Sequence, residues 1–307
     1  MTRDEFLAQR NLGIGGSDAG TIMGANPYKT AYELYLEKRG ELEHEELDHK
    51  LTIRAGNSLE DFVAKEYEAE TGFKVQRFNQ QLQHPDYQWM LGNIDRVVSL
   101  DGSAPAHKGE LRTNRLLECK TALGRFLDKS QWGESGTDQV PETYFFQCMH
   151  YLAVSGADQI DLAVLLAGPE IRIYHIERDE VLIQSMIVVE SEFWNRVQNG
   201  NPPDVDFNHR TTKHVIDRLY PGTDGSDLVL PDSTIHWHHV LNEAKEQIKH
   251  YEQIANGAKN HLLHLMGSAA TASLPDGSTY TRKLIKRKGF TVEPVEYIDF
   301  RHVKAKD

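Results

Sequence analysis

The spacing of apolar and polar residues divides most of the chain into alternating helices and strands. In TAYELYLEKRGE, residues 30–41, Ala31, Leu34, Tyr35 and Lys38 recur at helical spacing behind a capping box of Thr30 and Glu33. SLEDFVAKEYEAETG, residues 58–72, predicts a second helix closed by Gly72 as its C-terminal cap. Strand-like runs follow at FKVQRF (73–78), WMLGNIDRVVSL (89–100) and RLLECKTAL (115–123), with DGSAPAHKGE as a polar hairpin loop between the last two. TYFFQCMHYLAVSG (143–156) reads as a helix, IDLAVLLAG (160–168) as an apolar strand and IRIYHIE (171–177) as an alternating one. Helix, strands, helix, strand is the order of an α/β or α+β domain.

Periodicity breaks at NGNPPDVDF, residues 199–207, where a glycine and two prolines interrupt any pattern. The boundary divides the chain into a main domain, residues 1–203, and a C-terminal extension, residues 204–307. In the extension, residues 233–267 read as a long helix or helical hairpin, and strands are expected around the Pro-Asp-Gly turn at 275–277. This second part is too thin for a large core of its own.

Composition narrows the classes. The chain has 307 residues, 39% hydrophobic and 26% charged, ordinary for a globular protein. No apolar run approaches twenty residues, and the first ten residues are charged throughout, so the expectation is a cytoplasmic protein without a signal peptide or membrane contact. Two cysteines, Cys119 and Cys148, exclude a disulfide framework or a four-cysteine metal site within one chain. A formal net charge of −12 argues against a nucleic-acid partner at first sight. The distribution softens that objection. Residues 204–307 hold 14 Lys+Arg and 14 Asp+Glu, so the whole excess of acid lies in residues 1–203, where 20 basic residues face 32 acidic ones. Acidic residues there are what a divalent-metal site needs.

Two stretches carry candidate chemistry. RNLGIGGSDAG, residues 10–20, reads as a glycine-rich turn into a helix with Ser17 as N-cap, an arrangement that aims backbone N–H groups at an anion. It is neither a Rossmann fingerprint, since Asp18 stands where glycine is required, nor a Walker loop. The second stretch is GNID followed by LLECK. On adjacent antiparallel strands, side-chain alternation places Asp95, Glu118 and Lys120 on one face. Two neighbouring carboxylates call for a cation between them, and Mg²⁺ suits the pair. Glu60, on the preceding helix, and the Cys119 backbone carbonyl are candidates to complete the metal shell. Lys120 would orient or help deprotonate a water, or stabilise charge developing on phosphorus. His150, alone on an apolar helix, reads as a packed, hydrogen-bonded histidine. The histidines of IHWHHV lack the spacing of a zinc site.

An isolated Glu-x-Lys is common by chance, but the ordered set RNLGIGGSDAGTIMGANPY, GNSLE, LGNID, LLECK and VPETYFFQCMHYLAVSG is not. Asp95, Glu118 and Lys120 resemble the PD-(D/E)XK nuclease signature, with Ile94 in place of its proline. The whole set is similar to the YqaJ-type viral recombinase family, related to lambda exonuclease, over roughly residues 6–200. The resemblance implies a restriction-endonuclease-like core, a central mixed sheet flanked by helices. It further implies a Mg²⁺-dependent exonuclease, with two ions and Mn²⁺ as a substitute. Such an enzyme would process double-stranded DNA from 5′ ends and leave 3′ single strands for a single-strand annealing protein. By the same resemblance the enzyme is a homotrimeric ring of phage or prophage origin. Glu60, Asp95 and Glu118 match metal ligands, Lys120 the catalytic lysine, and Gln147 with Tyr151 a helix motif flanking the site. Arg10 and Ser17 match a pocket for the 5′-terminal phosphate, where Asn93 replaces a serine, and Ile53 matches an apolar wedge at the end base pair. The basic run Arg282, Lys283, Lys286, Arg287 and Lys288 is a candidate phosphate-contacting surface. The residues after 204 are expected to form helices packed on the nuclease domain that aid ring assembly or duplex binding. Two rival readings share these residues. One is a structure-specific or restriction-type endonuclease, the other a non-catalytic scaffold that binds DNA ends.

Overall fold

The computed structural model describes residues 10–46, 49–123, 128–168, 170–286 and 289. Contacts divide the chain into two units, Met1–Tyr220 and Pro221–Asp307.

The first unit is built on a five-stranded mixed sheet in the order β10-β9-β8-β5-β2, made of β2 (Lys74–Arg77), β5 (Arg96–Ser99), β8 (Arg115–Ala122), β9 (Gln159–Leu166) and β10 (Glu170–Glu177). Only β8 and β9 run parallel, so the chain must cross over between them, and the crossover carries helix α4 (Glu142–Ser155). Alternation along the central strands feeds two cores. Val97, Leu116, Leu162 and Val164 face α4, with Cys148, Met149 and Leu152 packed on them. Val98, Leu117, Cys119, Ala163 and Leu165 face helix α3 (Leu51–Thr71) through Val63, Ala64 and Tyr67. Strands covered on both faces read as continuous apolar runs, and IDLAVLLAG is one. Helix α3 ends at Gly72 with φ of 75°, the left-handed cap its glycine predicts.

A second sheet, β1-β4-β3, joins β1 (Ile14–Gly15), β3 (Gln81–Gln83) and β4 (Met90–Asn93). WMLGNIDRVVSL, expected as one strand, is therefore two. Its first half pairs with β1 and β3 and its second half with β2 and β8, so the chain passes between sheets at Ile94 and Asp95. Parallel pairing of Ile14 with Met90 sets the glycine-rich turn beside this crossing. That turn leads into α1 (Gly16–Ile22), and α2 (Ala31–Lys38) follows, with Thr30 accepting from the Glu33 N–H as its cap. The polar loop before β8 holds a small hairpin, β6 (Ala106–His107) and β7 (Glu110–Leu111), turned by Lys108 and Gly109 at positive φ.

Helix α5 (Glu180–Asn199) is absent from the expectations above although its pattern is present. Asp179 caps it, Gly200 closes it at φ of 70°, and Ile183, Met186, Ile187, Phe193, Trp194 and Val197 form its buried stripe. Helix α6 (Thr212–Leu219) also belongs to the first unit, because Val215 is buried with Leu34, Phe193 and Trp194. In the second unit α7 (Thr234–Met266) is one continuous helix of 33 residues, not a hairpin. The strands β11 (Thr271–Ser273) and β12 (Thr279–Thr281) flank the expected turn, with Gly277 at φ of 87°. No helix among the described residues is long and apolar enough to cross a membrane.

Candidate active site

Antiparallel pairing of Arg96 with Leu117 extends by one residue to set Asp95 across from Glu118, and Lys120 follows two positions on, so all three share the face covered by α4. Asp95 Oδ2 accepts the Cys119 N–H at 2.9 Å. Glu118 is buried at 2% exposure, and its Oε1 accepts from Lys120 Nζ at 2.5 Å and from Gln147 Nε2 at 2.7 Å. Gln147 also donates to the Tyr151 hydroxyl at 3.1 Å, which fixes the helix motif against the strand pair. Tyr144, one turn earlier on α4, lays its ring 5.3 Å from the Lys120 ammonium. The spacing expected of Asp95, Glu118, Lys120, Gln147 and Tyr151 is therefore realised as one cluster.

The electrostatics of this cluster are those of two carboxylates that share one ammonium, Lys120. Burial, then repulsion from Asp95, pushes the Glu118 carboxyl up to about 8 despite the nearby lysine. Asp95 is likewise raised, chiefly by burial. Burial works against the Lys120 charge, but Glu118 and Asp95 outweigh it and hold the ammonium above its ordinary range. Glu118 Oε2 is buried with no hydrogen-bond partner among the described residues. A hard cation with oxygen ligands fits that donor set, since a buried carboxylate oxygen left unpaired is costly and no donor among the described residues reaches it.

Glu60 stands differently. Its Oε1 accepts from Arg96 Nη1 at 2.6 Å, and the same guanidinium nitrogen donates to the Asp95 carbonyl at 2.7 Å. Arg96 thus ties α3 to the strand crossing, a role that sequence spacing does not announce although the residue directly follows Asp95. Among the described residues no group of three or more acidic, histidine or cysteine side chains is gathered as a metal cluster. Asp95 and Glu118 are brought together, while Glu60 is turned to Arg96.

The glycine-rich turn forms a second cluster next to the first. Helix α1 begins at Gly16 with Gly15 as its N-cap, so Ser17 lies inside the first turn and not at the cap position expected of it. The cap is instead completed by Asp18, whose Oδ2 accepts the Gly15 N–H at 3.1 Å. Exposed Ser17 presents its hydroxyl to Arg10, whose Nη2 lies 3.0 Å from Ser17 Oγ and 2.9 Å from Asp18 Oδ1. From the other side Lys38, with a fully buried side chain, reaches Asp18 Oδ2 at 2.7 Å and donates to the Arg10 and Gly13 carbonyls at 2.6 Å each. Burial opposes ionisation of Asp18, but Lys38 and Arg10 outweigh it and hold the carboxyl well below the usual range. Because Asp18 already takes the Gly15 N–H, an anion here would rely on Arg10 and Ser17 more than on a bare backbone cradle. Asp18 and Lys38 are the residues that spacing alone does not single out, and 19 intervening positions hide their pairing.

The two clusters touch at Gly16. A Cβ built there would lie 2.4 Å from the Tyr151 ring, so only glycine lets α1 approach α4 this closely. Gly16→Ala is expected to lower stability by about 1–3 kcal/mol through overpacking. It should also reduce activity by displacing Tyr151 from Gln147, and a denaturant melt with an activity assay checks both. His150, the residue before Tyr151 on α4, is buried between Glu190 at 3.0 Å and the Leu91 carbonyl at 3.0 Å, a packed structural histidine that joins α5 and β4 to the site helix. Asn93 ends β4 with its side chain exposed, and Ile53 lies in the first turn of α3 at 38% exposure. Arg282, Lys283 and Lys286 belong to the second unit and are exposed, whereas Arg287 and Lys288 lie outside the described residues.

Residues 5–158 match the YqaJ-like viral recombinase domain. The chain belongs to that family. It is also 35% identical over 275 residues to the protein YqaJ of Bacillus subtilis (strain 168), covering 88% of this chain and 80% of that one. Among solved structures it is similar to an alkaline exonuclease from Laribacter hongkongensis, at 17% identity and a TM-score of 0.48, covering 71% of this chain and 100% of the other. A phage-related exonuclease from Haemophilus somnus 129PT is similar at 13% identity and a TM-score of 0.41, covering 61% of this chain and 96% of that one. The matched family segment contains both clusters, from Arg10 through Tyr151.

Proposed function

We propose that this YqaJ-family chain is a Mg²⁺-dependent 5′-to-3′ exonuclease that acts on double-stranded DNA ends and leaves 3′ single strands for recombination. The observation that carries the reading is the buried Glu118 Oε2, without a partner among the described residues, set across from Asp95 and beside Lys120. Asp95 and Glu118, with the Cys119 carbonyl and Glu60 as further candidates, would hold Mg²⁺ or Mn²⁺, two ions by family resemblance, and the metal would supply electrophilic activation of the phosphodiester. Lys120 holds its proton between Glu118 and the substrate side, where it neutralises charge on the attacked phosphate. Gln147 fixes Glu118, and Tyr151 fixes Gln147. Arg10 and Ser17 receive the 5′-terminal phosphate, with Asn93 and Ile53 as further candidates near the DNA end. The reading extends, on family resemblance, to a trimeric ring and a single-strand annealing partner in the cytoplasm of a bacterial host.

The test compares linear duplexes carrying 5′-phosphate or 5′-hydroxyl ends with closed circular DNA in Mg²⁺. Digestion of phosphorylated linear DNA with the circle intact is expected; nicking or cutting of the circle would point to an endonuclease, and inert substrates to a scaffold. Arg10→Ala is expected to reduce the preference for 5′-phosphate by roughly 10–100-fold, the loss of one or two charge-assisted hydrogen bonds. An unchanged preference would remove Arg10 from the pocket.

Metal binding has a readout without DNA. Glu118 is raised to about 8 in the folded chain, so the stability its protonated form contributes is complete below its unfolded value and is lost as pH rises through about 8. Mg²⁺ should offset that loss. The Mg²⁺-induced rise in melting temperature is expected to be larger at pH 8.5 than at pH 6 and to vanish in Glu118→Gln, as read by a thermal-shift titration.

A further inference from the structure

Lys120 has one hydrogen-bond acceptor among the described residues, Glu118 Oε1, and its other close neighbour is the ring of Tyr144, whose centre lies 5.3 Å from the ammonium. A single hydrogen bond does not fix the charge. The ammonium sits at the end of a flexible four-carbon stem, so one contact leaves it free to swing about the line to Glu118. Tyr144 restricts that swing. It stands on α4 three residues before Gln147 and seven before Tyr151, the spacing that puts all three on one side of the helix. Its ring is itself braced. Trp132, 5% exposed, packs on Tyr144 at 5.6 Å between ring centres and on Tyr174 at 5.7 Å, and the Tyr174 hydroxyl donates to the Gly133 carbonyl at 2.9 Å. A column of aromatic rings therefore runs from β10 to the ammonium.

The chemistry of the ring selects its role. A carboxylate at this position would add a negative charge beside Asp95 and Glu118 and would take an N–H of the lysine for itself. An aromatic face attracts the ammonium through its quadrupole and carries no formal charge. We propose that Tyr144 is a positioning residue for Lys120, its ring holding the ammonium against Glu118 while leaving the remaining N–H donors for the oxygens of the attacked phosphate. The role rests on the nuclease reading above, in which Lys120 neutralises charge on that phosphate. The phenol hydroxyl has no part in it, so the electron density of the ring face is the property that matters.

The test uses the full-length chain with Tyr144→Phe, Tyr144→Leu and Tyr144→3,4,5-trifluorophenylalanine, the last close to phenylalanine in shape but with electron density withdrawn from the ring face. Tyr144→Phe is expected to keep the single-turnover rate on a linear duplex in Mg²⁺ to within about twofold, whereas the trifluoro ring and Tyr144→Leu should each lower it by roughly 5–30-fold at unchanged DNA affinity. Should Tyr144→Leu fail to fold, the comparison of the fluorinated ring with phenylalanine carries the rate test alone. A second readout needs neither metal nor DNA. In protein carrying isotope-labelled lysine, the Lys120 ε-methylene NMR signals are assigned by their loss in Lys120→Arg. They should lie upfield, through the ring current, in the wild type and in Tyr144→Phe, and move downfield in Tyr144→Leu. The proposal is overturned if the trifluoro ring is as fast as phenylalanine, or if the ε-methylene signals of Tyr144→Leu coincide with those of the wild type. Lys120→Ala separates this role from the reading it rests on: full activity there removes the cluster from the chemistry, while loss of activity together with an inert fluorination removes Tyr144 alone.

Discussion

Lys120→Ala is expected to lower Mg²⁺-dependent digestion of a linear duplex by about 10²–10⁴-fold, the range over which a positioned acid–base or electrostatic group acts. The reasoning starts from the geometry. Lys120 is the ammonium that meets Glu118, at 2.5 Å, on the face where Asp95 also stands. Alanine leaves the two carboxylates without their protein cation, so Mg²⁺ binding should survive or tighten while chemistry fails. A thermal-shift titration alongside single-turnover digestion separates these outcomes. Lys120→Arg keeps the charge but replaces a compact point donor by a planar fork, and is expected to recover only part of the rate. Full activity in Lys120→Ala would exclude the cluster as the reacting centre.

The largest loss of stability is expected from Asp18→Ala. That substitution leaves Lys38 with a fully buried side chain and no ion-pair partner among the described residues, and removes the acceptor for the Gly15 N–H. Breaking one side of a buried ion pair costs about 3–5 kcal/mol. The melting temperature should fall by roughly 6–20 °C, taking about 2–4 °C per kcal/mol for a chain of this size. Asp18→Asn should cost less, because an amide oxygen still accepts from Gly15. The contrast with Arg10→Ala is informative: the Arg10 side chain is 33% exposed, so its removal should spare the melting temperature while the end preference is lost. A melting temperature unchanged in Asp18→Ala would mean that the Lys38–Asp18 pair is not what holds the turn.

The grouping of the candidate site residues was legible because it is local or ordered along the chain. Glu118 and Lys120 are two apart on a strand, Gln147 and Tyr151 four apart on a helix, and in each case the period alone puts them on one side. Partners set by tertiary contact were not legible. Lys38 meets Asp18 across a turn and a helix, Arg96 at the start of β5 meets Glu60 on α3, and neither contact leaves a spacing signature. The split of WMLGNIDRVVSL had the same origin: its apolar alternation is continuous, and only the identity of the neighbouring strands divides it. Helix α5 is a different case, since its cap, stripe and terminal glycine are all in the sequence and only needed to be counted.

Strand β8 is shared between two jobs that obey opposite parity. Leu117 and Cys119 fill the core beneath α3, while Leu116 fills the core beneath α4 and Glu118 and Lys120 continue that same face into the candidate cluster. Substitution within the strand changes one side at a time. A change in its length by a single residue would instead exchange the sides, sending the carboxylate and the ammonium into hydrocarbon and the leucine toward Asp95 and Gln147. The distance along β8 between its paired start at Arg115 and Lys120 is therefore a quantity that inheritance must keep whole, even where the identities of the core residues drift.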